Sequence, residues 1–523
     1  MFWAGFPWLG AARRRGDLPE FGTPSTCGCR GTFVPSETKS REEKRVIRAA
    51  DSALIIMVVA GAVVTGSGVV TADDTIRAQY EGVATRIISA VRESNKAYDR
   101  LQELCDDIGH RLSGTPALDR AIEWAVETLR SDGHENVRTE RVMVPRWVRG
   151  EESLEMIAPH RAPIPMLGLG GSVATPPDGI TAEVLVVADE DDLKRRGDEA
   201  RGRIVLFNFP MPADDERNGA GYGPAVKYRV SGARMAAAHG AVAALVRSVT
   251  TRSLQTPHTG GMRYGDAERK IPAAAISVEF AEQMARLQAR GIPVKVTLKM
   301  QARMSEEPAP SANVIAELRG RELPDEIVVI GAHIDSWDVG QGAHDDGGGC
   351  VVAMEALRTL RRLNLRARRT IRVVLWTNEE NGLQGGRAYA KQHADELDKH
   401  VAAIESDSGV FAPIGFGVDI EDAAQRARVI AALNEICTLL KPVGDLSAYA
   451  GYGGADIGPM KPAGVPLIGQ ESDMTHYFDI HHTHADTVDK VDPGEMSDNV
   501  AVMAVAAYIL ADLPHGVGTA GAE

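Results

Sequence analysis

The chain has 523 residues with 44% hydrophobic content, enough for two or three domains with real cores, so disorder of the whole chain is excluded. Its 58 basic and 72 acidic side chains give a formal charge of −14, which argues against nucleic acid or anionic lipid as a partner. Five cysteines (Cys27, Cys29, Cys105, Cys350 and Cys437) are too few and too scattered for a disulfide scaffold, and no C-x-x-C pair suggests a zinc ribbon.

Residues 1–40 are rich in Gly, Pro, Ser and Arg and show no hydrophobic period, so disorder is expected there. A basic patch (Lys44, Arg45, Arg48), an apolar run over 53–64 and the small residues Val70-Thr71-Ala72 follow. That order predicts a secretory signal cleaved near Ala72, with the true start codon downstream of Met1. A buried helix and an uncleaved membrane anchor compete with it, but the apolar core is shorter than the ~20 residues a span needs. Export is therefore expected, to a secreted, periplasmic or cell-surface location, with membrane attachment only if the segment stays uncleaved.

Residues 76–104 read as one long amphipathic helix, 116–131 as a second, and 137–144 as a strand. Between 177 and 304 the texture changes to short β-rich runs (182–187, 203–208, 241–246, 271–277, 294–300) around a helix at 225–239. This predicts a small inserted domain, giving four segments: 1–72, 73–176, 177–304 and 305–523. After Ser311 strands expected at 326–331, 370–377, 401–405 and 465–468 alternate with helices at 348–363, 385–394, 423–440 and 495–513. Apolar strands alternating with helices imply an α/β fold with a mixed, mostly parallel sheet covered on both faces, and sites beyond the carboxyl ends of its strands.

Those strand ends carry His333-Ile-Asp335, Asp345-Asp346, Glu379-Glu380, Glu405-Ser-Asp407 and His481-His482-Thr-His484-Ala-Asp486-Thr. A lone His or Asp at a strand end is usually a cap or a solvated loop residue, but here they recur at successive ends. Imidazole and carboxylate donors without thiolates suit zinc, cobalt or manganese in an open catalytic site. Two such ions need a bridging carboxylate, and a further carboxylate must stay free as a base. Spacing alone does not choose among His481, His482 and His484. A serine nucleophile is disfavoured, since no G-x-S-x-G elbow precedes a suitable Asp and His.

The blocks His333-Ile-Asp-Ser-Trp-Asp-Val-Gly-Gln-Gly-Ala-His-Asp345-Asp-Gly-Gly-Gly, Leu375-Trp-Thr-Asn-Glu379-Glu380, Glu405-Ser-Asp407, Gly453-Gly-Ala-Asp456 and Tyr477-Phe-Asp-Ile-His-His482-Thr-His-Ala-Asp486-Thr resemble the co-catalytic zinc exopeptidases of metallopeptidase family twenty-eight. The resemblance runs from about Asp73 to the C-terminus. It implies two zinc ions, one completed by His333 and Asp407 and the other by Glu380 and His482, with Asp345 bridging. It implies Glu379 as general base, Asp335 as the hydrogen-bond partner of the His333 imidazole, and a cis Asp345-Asp346 peptide. Glu405 would stand behind the ligands at most, with His481 and His484 as polar neighbours or substrate-side groups. The inserted region resembles a protease-associated domain, either a wall of the substrate site or a packing module; Pro257-His258-Thr259-Gly260 lies in one of its loops.

The expected activity is hydrolysis of short peptides, chiefly dipeptides, with an aminopeptidase on longer peptides as the alternative and a homodimer as the expected assembly. A noncatalytic receptor-like protein and a single-zinc acyltransferase share this fold. The complete ligand set argues against both.

Overall fold

Short apolar runs (327–330, 373–376 and 402–404) form the centre of the first sheet, because strands covered on both faces favour apolar side chains. The computed structural model describes residues 75–213 and 221–517, so the signal-like segment lies outside the described residues. The sheet has eight strands in the order Glu135–Val144, Ala309–Leu318, Arg369–Trp376, Leu323–His333, His400–Glu405, Leu467–Ser472, Pro413–Asp419, Ser447–Ala450. Its four central strands, from Arg369–Trp376 to Leu467–Ser472, are parallel to one another. Antiparallel pairings flank them on both sides.

Alternate residues of each central strand serve two different cores. Val328 and Ile330 pack with the helices Ile76–Glu93, Pro116–Ser131, Gly348–Arg362, Ala423–Leu439 and Pro493–Asp512. Ile327 and Val329 face the opposite side, against Tyr389 of Gln384–Gln392 and against Ile457 and Met460. Helix Pro493–Asp512 is buried almost all round, which its uninterrupted apolar run from Val500 to Ala507 requires. The expectation of mixed sheet and flanking helices is met, and among the described residues no helix is long and apolar enough to cross a membrane.

Two expectations are corrected. The helix expected over 76–104 ends at Glu93, and the chain restarts at Ala97–Gln102. Asn95 is the reason: its side chain accepts from Ala97 N and donates to Val91 O, closing one helix and opening the next. The second correction concerns the inserted region. A second eight-stranded sheet runs Ala162–Pro163, Glu152–Ala158, Lys295–Met300, Ile180–Val187, Ile204–Phe207, Ala243–Arg247, Ala273–Ile276, Met166–Gly168. It therefore recruits strands from residue 152 onward rather than from 177. Lys295–Met300 pairs antiparallel with both Glu152–Ala158 and Ile180–Val187, and Leu154, Met156, Val296 and Leu298 share one core, so the earlier strand cannot be separated from this sheet.

The two sheets meet at the loop after Leu323–His333. Trp337 and Val339 from that loop are buried in the core of the second sheet beside Trp147 and Leu167. The Trp337 ring so nearly touches Gly170 that a β-carbon there would lie 2.1 Å from it.

Under the first sheet, His400 is held neutral. Tyr389 Oη lies 2.9 Å from His400 Nε2 and accepts from Arg372 Nη1 at 2.9 Å, while His400 Nδ1 lies 2.9 Å from the carbonyl of Glu396. Burial lowers the His400 pKa from 6.5 to about 4. The unfolded chain binds this proton near pH 6.5 and the folded chain only near 4, so His400 removes stability as pH falls through that window. His400→Gln is expected to lower stability at neutral pH by about 1–3 kcal/mol. It should also flatten the decline of Tm between those two pH values, which thermal unfolding across pH will measure.

Candidate metal and active site

Three of the predicted ligands sit where a parallel strand gives out. His333 is the last residue of its strand, Glu379 and Glu380 follow Arg369–Trp376, and Asp407 follows His400–Glu405. Asp345 comes from the turn before helix Gly348–Arg362, and its peptide bond to Asp346 is cis. The structure brings these side chains together around Asp345. His333 Nε2 lies 3.3 Å from Asp345 Oδ1 and 3.4 Å from Asp407 Oδ1. On the other side, His482 Nε2 lies 3.2 Å from Asp345 Oδ2 and 3.0 Å from Glu380 Oε2.

Asp345 Oδ2 has no hydrogen-bond partner although His482 Nε2 is so near. Converging donors that do not bond one another fit a shared cation. Among the described residues the groupings able to hold an ion are Asp345 with His481 and His482, and His333 with Asp346 and Asp407. Asp346 is otherwise engaged: one oxygen accepts from His333 N at 3.2 Å and the other from Gly349 N at 3.1 Å. It ties the first ligand to the start of the next helix.

Other carboxylates also serve the backbone. Asp486 accepts from His344 N at 2.8 Å and Asp345 N at 3.2 Å, so it positions the turn that presents Asp345. Glu405 accepts from the amides of Ala455, Asp456 and Ile457, which places it behind the ligands and shapes the loop beside them. Arg111, fully buried, donates to the carbonyls of Ile334, Gln341 and Gly342 and clamps the long loop between His333 and Asp345. Arg111 left no sequence signal, since its partners are carbonyls far along the chain. Asp486 did stand in a recognised motif.

The role expected for Asp335 is corrected. His333 Nδ1 lies 2.9 Å from the main-chain carbonyl of Asp335, while the Asp335 carboxylate is 3.9 Å away. That carboxylate accepts from Ser113 Oγ at 3.0 Å and from Glu379 N at 3.1 Å, so it fixes the backbone of Glu379 instead. With the carboxylate already taken by those two donors, the nearer carbonyl of the same residue is left to face the imidazole.

The remaining candidates separate by location. His481 stacks on His482 with ring centroids 3.6 Å apart and lies 3.7 Å from Asp345 Oδ2. His484 is exposed, and His344 stacks on Phe411 while its Nδ1 accepts from Val410 N. Asp456 is buried with both carboxylate oxygens unpartnered, and it is Gly454 and Ala455 that reach the cleft. His258 is buried with neither ring nitrogen bonded.

Burial governs the charge of the site. It raises the Glu380 pKa to about 7, with Asp345 adding to the rise, and holds Glu379 well above the ordinary carboxylate value despite the nearby His333. Burial alone would lower the His482 pKa, but Glu380 and Asp345 outweigh it and bring it to about 9. Two imidazoles, three carboxylates and no thiolate fit zinc or a similar divalent ion.

A cleft of about 1520 Å³ opens over these groups. Asp345, Glu379, Glu380, Asp407 and His482 line its floor, and Tyr222, Arg229, Gly261 and Met262 from the second sheet's side form a wall. Sequence reasoning missed Arg229. Its Nη1 donates to the carbonyl of Thr259 at 3.4 Å and its Nη2 to Tyr222 Oη at 2.6 Å, while Nε has no partner.

Comparison with known proteins agrees with this geometry. Residues 313–507 match the model of Peptidase family M28. Carboxypeptidase Q of Mus musculus is 43% identical over 439 residues, covering 83% of this chain and 90% of the relative. The crystal structure of a Peptidase M28 precursor from Shewanella amazonensis superposes with a TM-score of 0.79 at 36% identity, over 84% of this chain and 98% of that one. BSAP, a zinc aminopeptidase from Bacillus subtilis, shares the fold at a TM-score of 0.59 and 21% identity, over 81% of this chain and 96% of its own. Imidazoles and carboxylates gathered around Asp345, in a chain matched by sequence relatives across most of its length, place this protein in peptidase family M28 as a zinc-dependent hydrolase.

Proposed function

We propose that the chain is an exported di-zinc exopeptidase that hydrolyses short peptides, chiefly dipeptides, and that it reads the free C-terminal carboxylate. The likeness to carboxypeptidase Q over 83% of the chain supports a carboxypeptidase-type activity. The order of basic patch, apolar run and small residues ahead of Asp73 supports export. In this reading His333 and Asp407 would hold one ion and Glu380 and His482 the other, with Asp345 contributing to both.

Bound there, the zinc ions would supply Lewis acidity, lowering the pKa of a water and polarising a carbonyl. The protein's own groups do the rest. Glu379 lines the cleft beside the ligands, and its backbone is pinned by Asp335. Burial makes its carboxylate a ready proton acceptor, so it takes the proton of the attacking water and returns it to the leaving amine. Asp486 and Asp346 keep the bridging turn and the first imidazole in place.

The observation that carries the choice of substrate is Arg229. It is a largely buried guanidinium lining a cleft whose floor is acidic, and its hydrogen bonds go to a carbonyl and a phenol rather than to a carboxylate. Its Nη1 is 3.3 Å from His482 Nδ1, so one imidazole ring separates it from the ligand atoms. One extended residue spans about 3.3 Å. A peptide with its carbonyl at the ligands and a single further residue would bring its carboxylate to this cation.

Glu379→Gln is expected to lower kcat by roughly 10²- to 10⁴-fold with zinc content unchanged. Metal analysis beside steady-state kinetics checks both halves. For the terminus, one dipeptide is compared in free, N-acetylated and C-amidated forms. The expected result is efficient cleavage of the free form and poor cleavage of the amide, with Arg229→Gln raising KM for the free form roughly ten- to a hundredfold and leaving the amide unchanged. Efficient cleavage of the amide by the wild type would make the protein an aminopeptidase instead.

A further inference from the structure

The ligands are not supported alike, and the difference follows the boundary between the two sheets. On one side, His333 depends only on its own sheet: its ring bonds to the Asp335 carbonyl and its amide to Asp346. On the other side, both His482 and Glu380 are oriented by groups packed on or belonging to the second sheet. From this asymmetry we infer that the second sheet is a positioning element for one metal half-site, setting the affinity of the ion held by His482 and Glu380 and not that of its neighbour. The inference rests on the two-metal reading given above.

Thr259 is the centre of the arrangement. Its amide donates to the carbonyl of His482 at 3.0 Å, and its own carbonyl lies 3.3 Å from His482 Nδ1. The reciprocal pair holds a histidine at φ 60°, a left-handed conformation uncommon outside glycine. Arg229 Nη1 beside the ring can only donate, and it donates to the Thr259 carbonyl, so that carbonyl is the acceptor open to the imidazole. With Nδ1–H directed at Thr259, the lone pair of Nε2 is left facing Asp345 and Glu380, which is the tautomer a ligand needs.

The hydroxyl of Thr259 is what ties that loop down. It donates to the carbonyl of Gly168 in the second sheet at 2.7 Å and accepts from Arg149 Nη2 at 3.3 Å. Arg149 in turn grips Asp338 through two nitrogens, at 2.9 Å and 2.5 Å. Asp338 adjoins Trp337, whose amide donates to Glu380 Oε1 at 3.2 Å and whose ring is wedged against Gly170. One chain of contacts thus reaches both ligands of this half-site. Gly260 completes it, because a side chain there would strike the Arg229 guanidinium 2.4 Å away.

Zinc titration of the full-length, metal-stripped protein, with chelator competition to resolve the two binding steps, tests this without reference to activity. Thr259→Val removes the hydroxyl and Thr259→Ser keeps it. The expected result is that the valine variant weakens one step about 10- to 100-fold and leaves the other unchanged, while the serine variant matches the wild type. The single ion kept tightly by Thr259→Val should be the one kept by His482→Ala, which cobalt absorption spectra will show. Asp338→Asn, which loosens Arg149 from the other end, should weaken the same step and provides a second route should the valine variant fold poorly. Equal weakening of both steps, or of neither, in variants with wild-type circular dichroism overturns the inference while the two-metal reading stands. A wild type that binds fewer than two ions overturns that reading, and this inference with it.

Discussion

Carboxylates withdrawn from water at the ends of parallel strands set the terms for the rest of this structure. Asp345, Glu380 and Asp407 converge on two imidazoles, and Glu379 lines the same cleft floor. Burying an unpaired charge costs several kcal/mol per ion, so such a cluster persists only where cations or hydrogen bonds compensate. Four nearby carboxylates are satisfied by the backbone instead: Asp346, Asp486, Asp335 and Glu405 each accept from main-chain N–H groups. The inner set is left with two imidazoles and with Asp345 Oδ2 unbonded, and a divalent ion is the species whose charge and coordination match it.

The same constraint explains the loops. A cluster assembled from several strand ends needs each connecting turn held to a fraction of an ångström, and hydrogen bonds from buried side chains to main-chain atoms do this better than apolar packing. Arg111 performs that task with three carbonyls, and Asp486 with two amides. The second sheet extends the principle across a boundary. By inserting Trp337 into its core and returning Thr259 to His482, it becomes part of the site's scaffold as well as a wall of the cleft.

Much of the site was legible because the chemistry sits where the apolar pattern stops. His333, the Glu379-Glu380 pair and Asp407 each follow a run that can only be a buried strand, and residues at such ends must face a common edge. The break at Ser94-Asn95 was hidden because amphipathic spacing continues through it, and only the Asn95 side chain reveals the stop. The strand Glu152–Ala158 fell outside the inserted region expected from the sequence because the long strand it pairs with, Lys295–Met300, lies far along the chain. Asp335 was assigned to the wrong donor, since spacing gives proximity to His333 but not the choice between carboxylate and carbonyl.

Local sequence by itself determined the strand ends, the donor types and hence the class of metal, because hydrophobic periodicity and ligand chemistry act residue by residue; the reaction followed from the resemblance those motifs carry. Tertiary structure alone decided which groups meet across the two sheets. Arg229 beside His482, Thr259 beneath the same ring, and Trp337 on both Gly170 and Glu380 join residues far apart in the chain. Their partners are main-chain atoms, ring faces and a glycine's missing side chain, none of which leaves a pattern in one dimension. Packing geometry, rather than residue type, selects them.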